Sequence, residues 1–195
     1  VYVLFDSWYA SNKLLKFCRR QGWHVICALK ANRTLDGKQV RQWHRELKHK
    51  WYDHVTVPTT DGQPREYLVR SVRGHLKHFA DEVCVLISKR HSRDRRPKYF
   101  LCTDLTLVPQ AILRTYQKRW PIEVDNWYLK QALGLADFRV QSYEAVQKWF
   151  AIVYLALTYL QWRLQHADDV PRGATLADVI RVHRQEHARQ LLTAA

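Results

Sequence analysis

Residues 1–29 alternate between two kinds of apolar pattern, and that alternation restricts the chain to an α/β architecture. VYVLF (residues 1–5) is apolar and β-prone and ends in Asp6. A helix is expected over residues 11–20, with Leu14, Leu15, Phe17 and Cys18 turned inward and Gly22 as its stop. WHVICAL (residues 23–29) then reads as a second strand. Strand, helix and strand with short joins form a βαβ unit, which is parallel and right-handed. Asp6 stands at the carboxyl end of the first strand, where a buried strand would deliver it. With Ser7 it equally suits the cap of the following helix.

From residue 30 to 98 the character changes. A short basic helix is expected within residues 37–50, built around Val40, Trp43 and Leu47. Residues 54–59 and 66–72 flank Asp61-Gly62 and read as a β-hairpin. EVCVLIS (82–88) and YFLCT (99–103) are two further strands, the second rejoining the core. Between them, residues 89–98 are strongly basic, a pattern that serves as a solvated loop or as a contact for a phosphate backbone. The organisation expected is therefore a partial core from residues 1–30 and 99–165, a β-rich insertion over 31–98, and a helical tail over 166–195. In the second half a long helix over 142–165 is apolar on several faces and is expected to pack centrally, and a polar helix covers 175–192.

Residues 113–133, LRTYQKRWPIEVDNWYLKQAL, carry the densest chemistry. As one helix they would place Tyr116, Arg119, Glu123 and Lys130, at steps of three, four and seven, on one narrow face, with Ile122, Leu129 and Leu133 on the apolar side. Arg119 and Glu123 also suit an ordinary helical ion pair. Pro121 lacks an N–H and should kink the helix or start a turn.

Tyr116-x2-Arg119-x3-Glu123-x6-Lys130 resembles the Y-R-E-K signature of DDE insertion-sequence transposases, whose catalytic core is RNase H-like (ribonuclease H-like). LGLADFRVQS (133–142) resembles the segment that follows the signature helix, and VYVLFDSWYAS (1–11) resembles the strand bearing the second catalytic aspartate, here Asp6. The resemblance implies a partial RNase H-like α/β core with a β-rich insertion before the helix of the catalytic Glu. It implies metal-dependent DNA cleavage and strand transfer at transposon ends. Asp6 and Glu123 would be catalytic metal ligands, and Tyr116, Arg119 and Lys130 would grip DNA phosphates. Two Mg2+ ions, replaceable by Mn2+, would be the cofactor, because hard divalent ions take oxygen ligands and neutralise charge in line. Double-stranded DNA would be the partner, pairing of two ends suggests a homodimer, and the location would be the bacterial cytoplasm at the nucleoid. The first aspartate of the family's triad has no match here, and neither Asp104 nor Asp125 occupies its expected position. The chain alone is therefore expected to be inactive. Two alternatives are a non-catalytic DNA-binding remnant and another RNase H-like nuclease.

Composition agrees in kind. The net charge of +14 favours a polyanionic partner, nucleic acid ahead of an acidic membrane. With 195 residues, 47% of them hydrophobic, one good core is within reach, and no apolar run approaches the length a bilayer needs. Four scattered cysteines suggest neither zinc nor disulfides, and reduced thiols are expected. His75/His78 and His183/His187 have helical or turn spacing but lack a Glu in the HExxH order of a metal motif. A chain without methionine is expected to be a fragment or a processed piece.

Overall fold

A computed structural model describes residues 1–46, 52–58, 63–94, 96–139 and 141–193. The chain divides into two compact units, Val1–Arg119 and Trp120–Ala195.

The first unit is built on a six-stranded sheet. Its strands are β1 (Tyr2–Phe5), β2 (His24–Ala28), β5 (Asp53–Pro58), β6 (Pro64–His75), β7 (Glu82–Lys89) and β8 (Lys98–Cys102), in the order β1-β2-β8-β7-β6-β5. β1 and β2 are parallel, as expected for a βαβ unit, and every other pairing is antiparallel. Strands β5 to β7 extend the same sheet that β1 and β2 begin. The hairpin expected around residues 61–62 is present as β5 and β6, although Asp61 and Gly62 themselves lie outside the described residues, as does Leu47.

Strand parity explains the core. Val25, Cys27, Val83, Val85, Ile87, Tyr99 and Leu101 face one layer, where α1 (Asn12–Arg20) contributes Leu15 and Cys18 and α2 (Val40–Glu46) contributes Val40. Ile26, Cys84, Leu86, Phe100 and Cys102 face the other, where α3 (Pro109–Gln117) contributes Ile112 and Leu113. Central strands covered on both sides read as continuous apolar runs, which is why EVCVLIS has no polar alternation. All four cysteines are buried and free.

A second hairpin, β3 (Thr34–Leu35) with β4 (Lys38–Gln39), turns through Asp36 and Gly37, both at positive φ (45° and 79°). Asp-Gly is the residue pair such a two-residue turn selects. Asp36 Oδ1 accepts the backbone N–H of His75 at 2.9 Å, and Gly74 lets that carboxylate approach: a Cβ there would lie 2.0 Å from Asp36 Oδ2.

β1, at the sheet edge, is tied down at its amino end by a buried carboxylate. Asp104 accepts the Tyr2 hydroxyl at 2.6 Å, the Thr106 hydroxyl at 2.6 Å and the Thr106 N–H at 2.9 Å, while His24 Nε2 lies 4.0 Å away and its ring stacks on Tyr2. The bonds from Thr106 and Tyr2 hold its carboxyl down at about 2.

The second unit is helical: α4 (Pro121–Trp127), a π-helical turn (Tyr128–Ala132), α5 (Tyr143–His166) and α6 (Leu176–Thr193). Leu129, Leu135, Val153, Leu157, Leu160, Leu176, Val179 and Ile180 form its core. Three expectations are corrected here. Residues 113–133 are not one helix: α3 ends at Gln117, residues 118–120 form a turn, and Pro121 opens α4 as its first helical residue. Proline cannot supply the N–H an unbroken helix needs but suits a first turn, so an interruption falls where its ring sits. Of the three apolar residues assigned to the buried side, Leu129 and Leu133 join the core, whereas Ile122 is half exposed. α5 packs on the π-helical turn and α6 through one stripe only, and Ile152, Leu155, Tyr159 and Trp162 are exposed within this unit. The expectation of central packing therefore overstated its coverage.

Two stability measurements test this description. Gly74→Ala should lose about 1–3 kcal/mol in urea unfolding, the usual penalty of overpacking. Asp36→Gly removes the obstructing carboxylate, so the double variant should lose less than the sum of the two single changes. Asp104 has a folded pKa of about 2, below its ordinary 3.8, so it contributes stability above the higher value and loses it as pH falls through the lower. Asp104→Asn should therefore flatten the decline of melting temperature between about pH 4 and about pH 2.

Candidate active site

In the first unit lie three residues singled out from the sequence, Asp6, Tyr116 and Arg119. Asp6 follows β1 directly and is half-buried, neither sealed in the apolar interior nor fully in solvent. Its Oδ1 accepts the backbone N–H of Trp8 at 2.7 Å, a local turn that aims the carboxylate. The capping alternative does not hold for α1, whose N-cap is Ser11, accepting the Leu14 N–H at 3.3 Å. Beside Asp6, Trp8 is 78% exposed and carries the Lys30 ammonium over its ring at 4.9 Å. An exposed indole beneath a cation is suited to contact with another molecule.

Tyr116 comes from the last turn of α3, its ring edge-on to Phe100 at 4.9 Å. Phe100 is a β8 residue in the same apolar layer as Ile112, so the helix is held by the sheet. Arg119, in the turn that ends α3, holds its guanidinium over the Tyr116 ring, 5.5 Å from the ring centre. Burial pushes the Tyr116 phenol up; Arg119 opposes that shift, and Asp6 and Cys27 add to it. The Tyr116 phenol therefore lies within electrostatic reach of the Asp6 carboxylate on one hand and of the Arg119 guanidinium on the other.

In the second unit, Glu123 lies in the first turn of α4, two residues after Pro121, and its backbone N–H bonds to the Trp120 carbonyl at 2.9 Å. A carboxylate in the first turn is favoured by the helix dipole, which explains why proline followed by glutamate starts a helix here. Lys130 lies on the π-helical turn. Both side chains are exposed. Asp125, two residues on, is committed elsewhere, accepting Gln161 Nε2 at 2.8 Å.

Asp104 does not extend the Asp6 cluster. It holds the amino end of β1 through Tyr2, and Tyr2 and Asp6 are separated by four residues of extended chain, roughly 13 Å. Its two oxygens are already taken by Tyr2 and Thr106. The histidine pairs also serve structure: His183 Nε2 meets Arg163 at 2.8 Å, and His75 Nδ1 lies 3.7 Å from Asp36. Among the described residues, no three His, Cys, Asp or Glu side chains form a metal-binding group.

Each taken in its own unit, Asp6 and Glu123 have the donor chemistry that magnesium takes. Both offer carboxylate oxygens within reach of solvent, and Mg2+ is commonly held by one or two carboxylates, with waters and substrate phosphates completing its shell. Among the described residues, no helix is long and apolar enough to cross a membrane.

The sequence reading missed two features. One is the Asp104 network, whose members Tyr2, His24 and Thr106 are scattered along the chain and carry no spacing signal. The other is the pairing of Trp8 with Lys30. The Asp36-Gly37 turn, by contrast, carried the same signal that located the hairpin at 61–62.

Comparison with curated proteins returns no match. The model of the transposase DDE domain matches residues 1–159, which include the βαβ edge, the whole sheet, Asp6 and all four residues of the Tyr-Arg-Glu-Lys series. A match over that much of the chain shows its membership: this protein belongs to the family of transposases with a DDE domain.

Proposed function

We propose that this chain is the carboxyl-terminal part of an RNase H-like catalytic domain of the Y-R-E-K type, and that the complete enzyme cleaves DNA and transfers strands at transposon ends. The observation that carries the reading is that Tyr116, with Arg119 over its ring, lies within electrostatic reach of Asp6: two residues of the signature beside the residue that follows the strand expected to bear a catalytic aspartate. The domain division proposed with it is a core from residues 1–30 and 99–165, an insertion over 31–98 and a tail over 166–195.

The roles follow from chemistry. Asp6 and Glu123 are carboxylates of the type that holds Mg2+, or Mn2+ in its place. Such an ion lowers the pKa of an attacking water or hydroxyl and offsets charge on the leaving oxygen. Arg119 offers a planar, always charged fork suited to bidentate phosphate contact, and the Tyr116 ring beneath it fixes its position. Lys130, exposed on its turn, acts as a point charge for a second phosphate. Tyr116 keeps its proton at neutral pH and donates a hydrogen bond rather than repelling the DNA. Double-stranded DNA is the substrate, bound by a pair of protomers when two ends are joined, and the enzyme works at the bacterial nucleoid.

The test uses the protein extended upstream by its own reading frame, with terminal-repeat DNA and Mg2+. Wild type should nick the end, and Asp6→Ala and Glu123→Ala should each lose on the order of 10²-fold or more in rate, as expected when a metal ligand worth several kcal/mol is removed. Equal rates in all three would refute the assignment. Without that extension the chain should bind DNA without nicking it. In that shorter chain, Lys130→Ala should lower the slope of log affinity against log salt by about 1. Tyr116→Phe, which keeps the ring on Phe100, should leave the melting temperature unchanged while weakening binding.

A further inference from the structure

Helix α1 carries a row of cations that nothing in the proposed site uses. Its buried side is Leu15 and Cys18, and the opposite side presents Lys13, Lys16 and Arg20, with no acidic residue in the helix's first turn. Across from this row the β6–β7 connection supplies His78, at φ 65°, with Phe79 and Ala80. Together they line an open groove of about 720 Å³. Asp81, the one carboxylate next to it in the connection, is bound by Arg19 at 2.5 Å, so it does not cancel the three remaining cations. Lys77, whose carbonyl accepts Asn12 Nδ2 at 2.9 Å, adds another exposed charge at the flank.

The groove has an apolar floor and a cationic rim. Phe79 is almost fully buried and forms part of the core, so the floor is rigid. That combination matches a sugar–phosphate backbone, with deoxyribose against the floor and phosphates against the rim. A concave site with its aromatic ring withdrawn does not suit a flat lipid surface, which favours protruding apolar side chains. The rise from Lys13 to Arg20 is about 10 Å, at 1.5 Å per residue. Phosphates of one strand wind about the axis and so lie farther apart than its rise of about 3.4 Å per nucleotide; three long side chains spread over about 10 Å can each reach a neighbouring phosphate.

Its position separates it from the candidate active site. α1 packs in the layer with Val25 and Leu101, whereas α3, with Tyr116, packs on the opposite face with Phe100. We infer that the α1 groove is a second, sequence-independent track for the backbone of duplex DNA, distinct from the phosphate contacts of Tyr116 and Arg119. This rests on DNA being the substrate. The track lets the first unit grip duplex beyond the end being cleaved, through charge alone.

The experiment measures binding of a random-sequence duplex by the full chain across a salt series. Lys13→Ala/Lys16→Ala/Arg20→Ala should lower the slope of log affinity against log salt by about 2 to 3, since each phosphate contact contributes about 0.9. Lys13→Arg/Lys16→Arg/Arg20→Lys should keep the wild-type slope. A matched removal of three exposed cations in the second unit, Arg139→Ala/Arg172→Ala/Arg189→Ala, should change it by less than 1. All are surface positions, and unchanged melting temperatures verify folding. If the α1 variant loses no more slope than the matched control while Lys130→Ala still weakens binding, the groove is not a DNA track and the proposed function stands. If the wild type does not bind duplex at low salt, both fall. Binding of the wild type, but not the α1 variant, to anionic vesicles with unchanged DNA affinity would overturn the track in favour of a membrane.

Discussion

Burial of β2, β7 and β8 on both faces is the constraint from which the first unit follows. Residues of one parity enter one apolar layer and their neighbours enter the other, so a slip of one residue would exchange the two sets completely. Register is thereby specified along the sheet, and with it the height at which β1 runs beside β2. Because Leu4 pairs with Ile26 and Phe5 with Cys27, Asp6 emerges just beyond the paired edge, where a carboxylate can face solvent. The same layering supports the helix on the other face. Phe100 is at once a core residue and the surface against which Tyr116 rests.

Charge is distributed to complement that frame. The acid at the amino end of β1, Asp104, is spent on holding the strand, and its hydrogen bonds keep it ionised. The acid at the carboxyl end, Asp6, has one oxygen engaged by a local turn and lies within electrostatic reach of the Tyr116 phenol. Two aspartates on one strand's ends thus serve different purposes, one structural and one available for chemistry. Basic residues occupy the exposed side of α1, so the sheet presents candidate DNA contacts on two faces with unlike character: an acid–base cluster on one and a purely cationic groove on the other.

Pro121 shapes the second theme. It stops the signature from being a single rod and makes Glu123 the third residue of a new helix, whose dipole favours its charge. Helical step counting across residues 113–133 assumed a continuous backbone. The sequence contained the warning, since proline cannot donate the bond that an uninterrupted helix would require. How the chain resolves that conflict, by a turn over 118–120 followed by a short α-helix and a π-helical turn, depends on what Leu129 and Leu133 can pack against.

Much of the frame was legible from residues alone. Local apolar patterns located β1, α1, β2, the β5–β6 hairpin, β7, β8 and α5, because each is a short-range signal of period two or 3.6. The transposase family was legible because the resemblance that pointed to it, the spacing of Tyr116, Arg119, Glu123 and Lys130, is a linear property of the chain. What only the tertiary structure decided are relations between distant residues: that β5 to β7 continue the sheet begun by β1, that Asp104 reaches back to Tyr2, that Arg119 lies over Tyr116, and that α1 faces the β6–β7 connection across a groove. Hydrophobic pattern declares which side of an element avoids water, but not which partner will cover it, and packing of whole layers makes that choice.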